Sequence, residues 1–594
     1  MDLPPRPTRT AALRDSTRAA VSWAAPALAS VVALATLLWS LPRGLDLTDE
    51  GYYLTEMAHP GDSTATALLF GYVWHPVYAV LGGSVLGLRL VGFGVVALLA
   101  VALTLAVLRL APSHTRPGPW GVASVCAVAA ALAFVPLSSL PATPSYNTLA
   151  WLAMATAALG CAWAWTGRRP VLGGVLVGAG GAAAVTAKPT TALVLAVAVV
   201  LTTPWRRTGW RPVLAASAVL VVGLGALVAV APGHLAGLVE VVQRGVEATV
   251  GHAELVRRDP FLRSPQVFLG LLVAGLGGAA AGFLGRRSRL AGLVLGAVSV
   301  AVAATSLWRW WDVGMTSSID LLLPTAALTC FALLGAVAVA LVVLGRDGAL
   351  APDTVRVRLA VLLVLLPAAH AFGTNNNLWH WSGLAVVFWF LAVLLLVGTT
   401  GAVAAAAGGL AAYTALVSAV ITPLDPYRSG PLTQATTVTQ VSRAGTTMRL
   451  PAEEARVATE MLAVGDRLGV TRETRVLDLT GASPGVVWAW GARPLASGWV
   501  IGGYPESLEA ARTSIEPARC DLARALVLWT PDQARALPDE VLEPFGVDLP
   551  GDYRAVATFP RLRPAPTVAD PAPVAQSVTV LEPVSVAPRG CPAS

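Results

Sequence analysis

The stretch Asp46-Leu47-Thr48-Asp49-Glu50-Gly51-Tyr52-Tyr53 places three carboxylates within five residues, directly after the first apolar segment. Such groups need a reason in a chain of 594 residues of which only 13% are charged and 55% are hydrophobic. Lys188 is equally conspicuous. It is the only lysine among 41 Lys and Arg residues, and it lies in Thr186-Ala187-Lys188-Pro189-Thr190-Thr191 between two apolar segments. A coding preference for arginine explains why lysine is rare, but not why one ammonium survives where charge near lipid is costly. A carboxylate can accept a proton from a hydroxyl, and a cation can hold a phosphate; together these are the two requirements of lipid-linked sugar transfer. The competing readings are solvated loop acids for the cluster and a snorkelling side chain for Lys188.

The elements that must position these groups are membrane helices. Soluble chains carry roughly 25% charged residues, whereas this one has a mean hydropathy of +0.66, and only helices satisfy their own backbone in lipid at such segment lengths. The sequence predicts an α-helical polytopic membrane protein with about thirteen spans. They fall near 21–41, 88–108, 120–140, 147–165, 171–187, 189–203, 213–231, 266–284, 290–306, 321–344, 359–372, 379–398 and 402–421. With the N-terminal segment 1–20 in the cytoplasm, every second loop is basic: Arg109 with Arg116, Arg168 with Arg169, then Arg206, Arg207 and Arg211, and so on through Arg358. That is the positive-inside pattern. It puts the first loop, 42–87, outside together with Lys188, the Trp308–Asp320 loop, the Phe372–His380 loop and the domain 423–594. The net charge of +7 therefore reports topology and gives no ground for nucleic-acid binding. Leu68–Gly87 is apolar but broken by Trp74-His75-Pro76 and Gly82-Gly83, and counting it as a span would invert every later loop. A re-entrant or surface-lying helix pair fits better.

Beyond the membrane domain of 21–422, residues 423–594 alternate helix and strand: helices near 451–468 and 505–516, strands at 475–479, 525–529 and 553–559. This predicts a small extracytoplasmic α/β domain. Gly481-Ala482-Ser483-Pro484-Gly485 is a turn that could hold an anion at a helix start, and the Pro-rich tail from Arg561 reads as extended. Cys126, Cys161 and Cys330 fall in apolar segments, as small core residues do. Cys520 and Cys591 lie in the polar domain, where oxidising surroundings favour a disulfide.

Thr48-Asp49-Glu50-Gly51-Tyr52, His75-Pro76, Leu88-Arg89-Leu90 and Ala187-Lys188-Pro189-Thr190 follow one another in order and on one membrane face. In this the chain resembles the GT-C superfamily of polyprenyl-phosphate-sugar-dependent glycosyltransferases, in particular its protein mannosyltransferase and aminoarabinose transferase branch. The motifs cover about the first 210 residues, and the rest matches in layout. The resemblance implies an inverting hexosyl- or pentosyltransferase acting at the outer face of the plasma membrane, with a polyprenyl-phosphate-linked sugar as donor and a glycan, lipid or protein as acceptor. It implies that Asp49 or Glu50 matches the acid that serves as base or holds a divalent cation, Mg or Mn. It further implies that Lys188 contacts the lipid phosphate, with Arg89 and His75 as secondary candidates for the same anion.

One departure concerns the second external loop, where the branch often carries an acid. Here it reads Pro141-Ala142-Thr143-Pro144-Ser145-Tyr146-Asn147, whose Tyr146 and Asn147 can hydrogen-bond a sugar without supplying a carboxylate. Further sugar or acceptor candidates are Asp46, Tyr52, Asp312 within Trp308-Arg309-Trp310-Trp311-Asp312, and Asn375, Asn376, Asn377 and His380. Aromatic faces stack on sugar rings and amides read hydroxyls, whereas the competing reading for the tryptophans is an interfacial belt. Two other functions share these features: a transporter or flippase of lipid-linked saccharides, and a non-catalytic protein binding envelope glycans through 423–594. A transporter would concentrate its polar residues near the bilayer middle; here they gather at one face.

Overall fold

The computed structural model describes residues 9–248, 355–373, 378–427, 430–531, 533, 535–561 and 577–592, with isolated positions between 273 and 337. The chain folds as a mostly helical membrane protein with a C-terminal α/β domain. Among the described residues, seven helices are long and apolar enough to cross a membrane: Trp23–Ser40, Val85–Leu110, Pro119–Ser138, Tyr146–Trp165, Pro170–Ala187, Trp210–Val230 and Ala402–Leu424. Each coincides with an expected span. Those expected at 266–284 and 321–344 lie largely outside the described residues and that at 290–306 in part, while Cys330, Asp312, Asn375, Asn376 and Asn377 lie outside them.

The elements that matter here are α1 (Arg9–Ser40), α2 (Asp49–Ala58), α3 (Phe70–Val80), α4 (Val85–Leu110), α5 (Pro119–Leu132), α6 (Tyr146–Trp165), α7 (Pro170–Ala187), α8 (Pro189–Thr202), α9 (Trp210–Val230) and α10 (His234–Glu247). After the less described stretch come α11 (Val355–Ala371), α12 (Leu378–Gly383), α13 (Val387–Val397) and α14 (Ala402–Leu424). α6 packs on α7, α7 on α9, and α1 on both α5 and α14. The α6–α7 contact is backbone-close: a Cβ on Gly160 would run into the Gly173 carbonyl, and one on Gly173 into α6. Small residues allow this approach, and in lipid such packing replaces the hydrophobic drive between helices. Residues 68–84 hold no helix long enough to span a bilayer. α3 is an 11-residue helix with Pro76 inside it, about 16 Å at the helical rise, and it lies against α2.

The C-terminal domain contains a β1–β2 hairpin (Thr437–Gln440, Thr447–Leu450) and a five-stranded mixed sheet of β3 (Arg475–Asp478), β4 (Arg493–Pro494), β5 (Leu526–Trp529), β6 (Tyr553–Pro560) and β7 (Ser577–Pro583). The strand order is β4-β3-β5-β7-β6, with β3 parallel to β4 and β5, and β7 antiparallel to β5 and β6. Helices α15 (Ala452–Arg467), α16 (Pro484–Trp490) and α17 (Ser507–Ile515) complete it. The tail expected to be extended after Arg561 is extended where it is described, from 577, but as a paired strand. Its last part, Ser577-Val578-Thr579-Val580-Leu581, alternates, buries Val578 and Val580, and enters the sheet beside β5. Period-2 burial outweighs the flanking prolines. Cys520 and Cys591 are joined by a disulfide with Cα atoms 5.5 Å apart, closing a loop of sequence separation 71.

Candidate functional site

α2 is held between the membrane bundle and the C-terminal domain. Gly51 lies against Gly485 so closely that a Cβ at position 51 would collide with that backbone. Gly485 N donates to Leu47 O at 2.8 Å, Thr48 Oγ1 to Ala482 O at 3.0 Å, and Thr55 Oγ1 to Pro484 O at 3.1 Å. From α3, Tyr78 Oη accepts from Trp488 Nε1 at 3.0 Å. On the membrane side, Leu69 N donates to Thr186 O at 2.9 Å. The acid cluster, the Lys188 turn and the α/β domain thus share one end of the bundle.

Within the cluster the three carboxylates have different tasks. Asp46 caps α2: its Oδ1 accepts from Thr48 N at 3.0 Å, and its Oδ2 from Asp49 N at 2.7 Å and Glu50 N at 3.1 Å. These are donors that a helix start leaves unsatisfied. Glu50, 1% exposed, faces Arg89. Arg89 Nη2 donates to both Glu50 oxygens at 2.8 Å and Arg89 Nε to Oε1 at 3.0 Å. Thr143 Oγ1 also donates to Glu50, as does Asp46 N at 3.1 Å. The remaining guanidinium hydrogens reach Leu41 O (2.7 Å), Arg43 O (3.0 Å) and Gly44 O (3.0 Å). All five N–H groups of the guanidinium are therefore engaged, and they tie the end of α1 to α4 and α2. Glu50 is thus ion-paired with Arg89, the Arg89 hydrogens are all engaged within the fold, and Asp46 holds the helix start while lining the polar cavity described below.

Asp49 keeps a different environment. It is 9% exposed and accepts from Tyr427 Oη at 2.9 Å. Tyr427 follows α14 at the entrance to the C-terminal domain. A divalent cation on Asp49 and Glu50 does not fit. Glu50 already faces a guanidinium and Asp46 is occupied by backbone N–H groups, which leaves one carboxylate where a hard cation takes several oxygens.

Lys188, between α7 and α8, is 4% exposed. Its Nζ lies 5.2 Å from the Tyr146 ring centroid and 5.5 Å from that of Trp381, and 3.4 Å from His370 O. Among the described residues no carboxylate pairs with it; aromatic faces hold the ammonium instead. Tyr146 packs edge-on to Tyr53, which follows Asp49 by one helical turn. The two tyrosines therefore lie between the acid and the amine. Tyr52 belongs to the same aromatic cluster, against Phe70 and Trp499. His75 Nδ1 donates to Met57 O at 2.7 Å, fastening α3 to the end of α2. The side chain of His380 lies outside the described residues.

Two cavities open at this end. The more polar, with an empty volume of about 430 Å³, is lined by Asp46, Glu50, Arg89 and Tyr427, with Arg43 and Thr422 beside them. The other is an apolar groove of about 580 Å³ between α4, the connector 133–144 and α6, reaching from Arg89 through Phe93 and Phe134 to Asn147, Trp151 and His370. They share the wall formed by Arg89, Leu137, Leu140, Pro141 and Ala142. Asp49 and Lys188 line neither. Each stands one residue behind a lining side chain: Asp49 behind Tyr427, Lys188 behind His370.

Two more features sit where the domain meets the loop. Glu56 is buried under Gly498, with Ser63 Oγ donating to it. Burial raises its carboxyl pKa from 4.5 to about 7. The Gly481–Gly485 turn is no anion site: the buried Asp478 carboxylate already accepts from Thr480 N at 2.9 Å and Ser483 N at 3.0 Å.

Sequence reasoning missed Tyr427, Thr143, His370 and Trp381. Thr143 lies inside a loop already singled out and Trp381 directly follows His380, whereas Tyr427 and His370 are brought in by tertiary contact.

No family model matches the chain, and no curated protein matches it. Among solved structures it is similar to crystal structures of ArnT from Cupriavidus metallidurans, one bound to undecaprenyl phosphate and one in the apo state. Each is 16% identical, with 93% of this chain and 97% of the other covered, at TM-scores of 0.36 and 0.37 respectively.

Proposed function

We propose that the protein is a membrane glycosyltransferase that moves a sugar from a polyprenyl-phosphate donor to a cell-envelope acceptor at the outer face of the plasma membrane. The observation that carries this reading is the Asp49 carboxylate. It is oriented by Tyr427, which lines a polar cavity that shares a wall with an apolar groove, and the lone Lys188 ammonium lies at the same end of the bundle. The ordered motifs of the first 210 residues support the same reading.

In this scheme the acceptor hydroxyl oxygen bonds to the anomeric carbon while its proton passes to Asp49. The bond from that carbon to the donor phosphate breaks, and the electron pair leaves with the polyprenyl phosphate. Configuration inverts because attack and departure lie on opposite faces of the sugar. Lys188 offsets the charge on the leaving phosphate, and Tyr427 holds the Asp49 oxygen in line.

A positioned base contributes about 100- to 10,000-fold. Asp49→Asn should therefore lower release of undecaprenyl phosphate from a panel of undecaprenyl-phosphate-linked sugars by at least ~100-fold, with unchanged expression and thermal stability. Turnover by purified Asp49→Asn protein within a few-fold of wild type would refute the assignment. Lys188→Met should weaken retention of undecaprenyl phosphate, and equal retention would remove its phosphate role.

A further inference from the structure

The apolar groove contains polar atoms that the fold leaves unused. Asn147 is 2% exposed, and neither its Nδ2 nor its Oδ1 has a partner; the Trp151 Nε1 is likewise buried without one. The two residues are four apart on α6, so they stack on one helix face, and both line the groove. Buried unpaired donors and acceptors are costly, and an apolar side chain of similar shape avoids that cost. Folding therefore gives no reason for an amide and an indole at these positions. Binding does.

The chemistry of the groove limits the occupant. Phe93 and Val96 of α4, and Leu137, Leu140, Pro141 and Pro144 of the connector between α5 and α6, make its walls apolar, so hydrocarbon is what they favour. Its only cation is Arg89, whose five N–H groups are already committed to Glu50 and to three carbonyls. A phosphate head would find no free cation on the lining itself, since Lys188 stands behind His370 with its Nζ on the His370 carbonyl. The free groups, one amide and one indole N–H, are neutral. We propose that the groove binds a membrane lipid whose uncharged hydroxyl head pairs with Asn147 and Trp151. It would be a site separate from that of the phosphate-bearing donor. Because the groove shares a wall with the polar cavity, this lipid is the acceptor class if the function proposed above holds, but the binding itself does not require it.

The test measures retention of radiolabelled dioleoylglycerol by the full-length protein in nanodiscs, with dioleoyl phosphatidic acid as the charged-head control and undecaprenyl phosphate as the donor control. Wild type should retain dioleoylglycerol in preference to phosphatidic acid. Asn147→Leu and Trp151→Phe should each weaken that retention by about 5-fold, the worth of one neutral hydrogen bond, while undecaprenyl phosphate retention stays unchanged. Neither variant should melt below wild type, since each removes an unpaired buried polar group. Equal dioleoylglycerol retention by wild type and both variants, or equal retention of phosphatidic acid, overturns the proposal. Should Asn147→Leu fail to fold, Trp151→Phe decides alone. Loss of glycosyl transfer activity in every assay, with this binding pattern intact, would sink the proposed function and leave the lipid site standing.

Discussion

Replacing Arg89 with methionine would leave Glu50 buried without its guanidinium. The side chain now donates to both Glu50 oxygens and to the carbonyls of Leu41, Arg43 and Gly44, and methionine donates to none. Removing one partner of a buried ion pair costs about 3–5 kcal/mol. Three carbonyls losing a charged donor add about 1 kcal/mol or more apiece if no water reaches them. Arg89→Met should therefore destabilise the protein by at least ~4 kcal/mol. Glu50→Gln should cost less, because the amide oxygen still accepts from Arg89 and Thr143. In the double variant the stranded charge is gone, so the pair should show a coupling energy of about 2–3 kcal/mol. Chemical unfolding of purified wild type, both single variants and the double variant in one detergent gives all four corners of the cycle. The reasoning is refuted by an Arg89→Met loss under ~1 kcal/mol, or by a coupling energy near zero. An Arg89→Met protein of normal stability that no longer retains undecaprenyl phosphate would return this side chain to the phosphate.

Glu56 should make stability fall as pH rises. Its folded pKa of about 7 lies above the ordinary 4.5, so its contribution is complete below pH 4.5 and is lost as pH climbs through 7. The span is about 3 kcal/mol at most. Glu56→Gln should flatten the melting temperature between pH 5 and pH 8 and exceed wild type at pH 8; an unchanged pH slope would exclude Glu56 as its source. Gly51→Ala should push α2 off the Gly485 backbone, at a cost of about 1–3 kcal/mol, and hasten limited proteolysis of the C-terminal domain. A cleavage rate equal to wild type would show that this contact is not limiting. Replacing Cys520 and Cys591 by serine should lower the stability of that domain by about 2–4 kcal/mol, read as a shifted denaturation midpoint, and the same shift should follow reduction of the wild-type protein.

Composition and arginine placement were enough to locate most described spans, because membrane helices obey a length and a charge rule that need no partner. The strands β3, β5 and β6 were legible from alternation for a similar reason. β7 was not: its seven residues sit among prolines, and only the neighbouring β5 and β6 make them a strand. The acids Asp46, Asp49 and Glu50 could be named from their types, but not divided by task. That division rests on Arg89, which lies 39 residues after Glu50 in the chain, and on Tyr427, 378 residues after Asp49. Asn147 was singled out as a sugar ligand, whereas its position in an apolar groove depends on how α4, the connector 133–144 and α6 meet.

Tyr427 stands in the short connector through which the polypeptide leaves its last lipid-crossing helix for the soluble fold. The oxygen that steadies Asp49 is thus attached to the joint between two bodies, while Asp49 itself rides on a helix gripped by both. The Tyr427–Asp49 hydrogen bond therefore spans the connection between the helical bundle and the C-terminal domain.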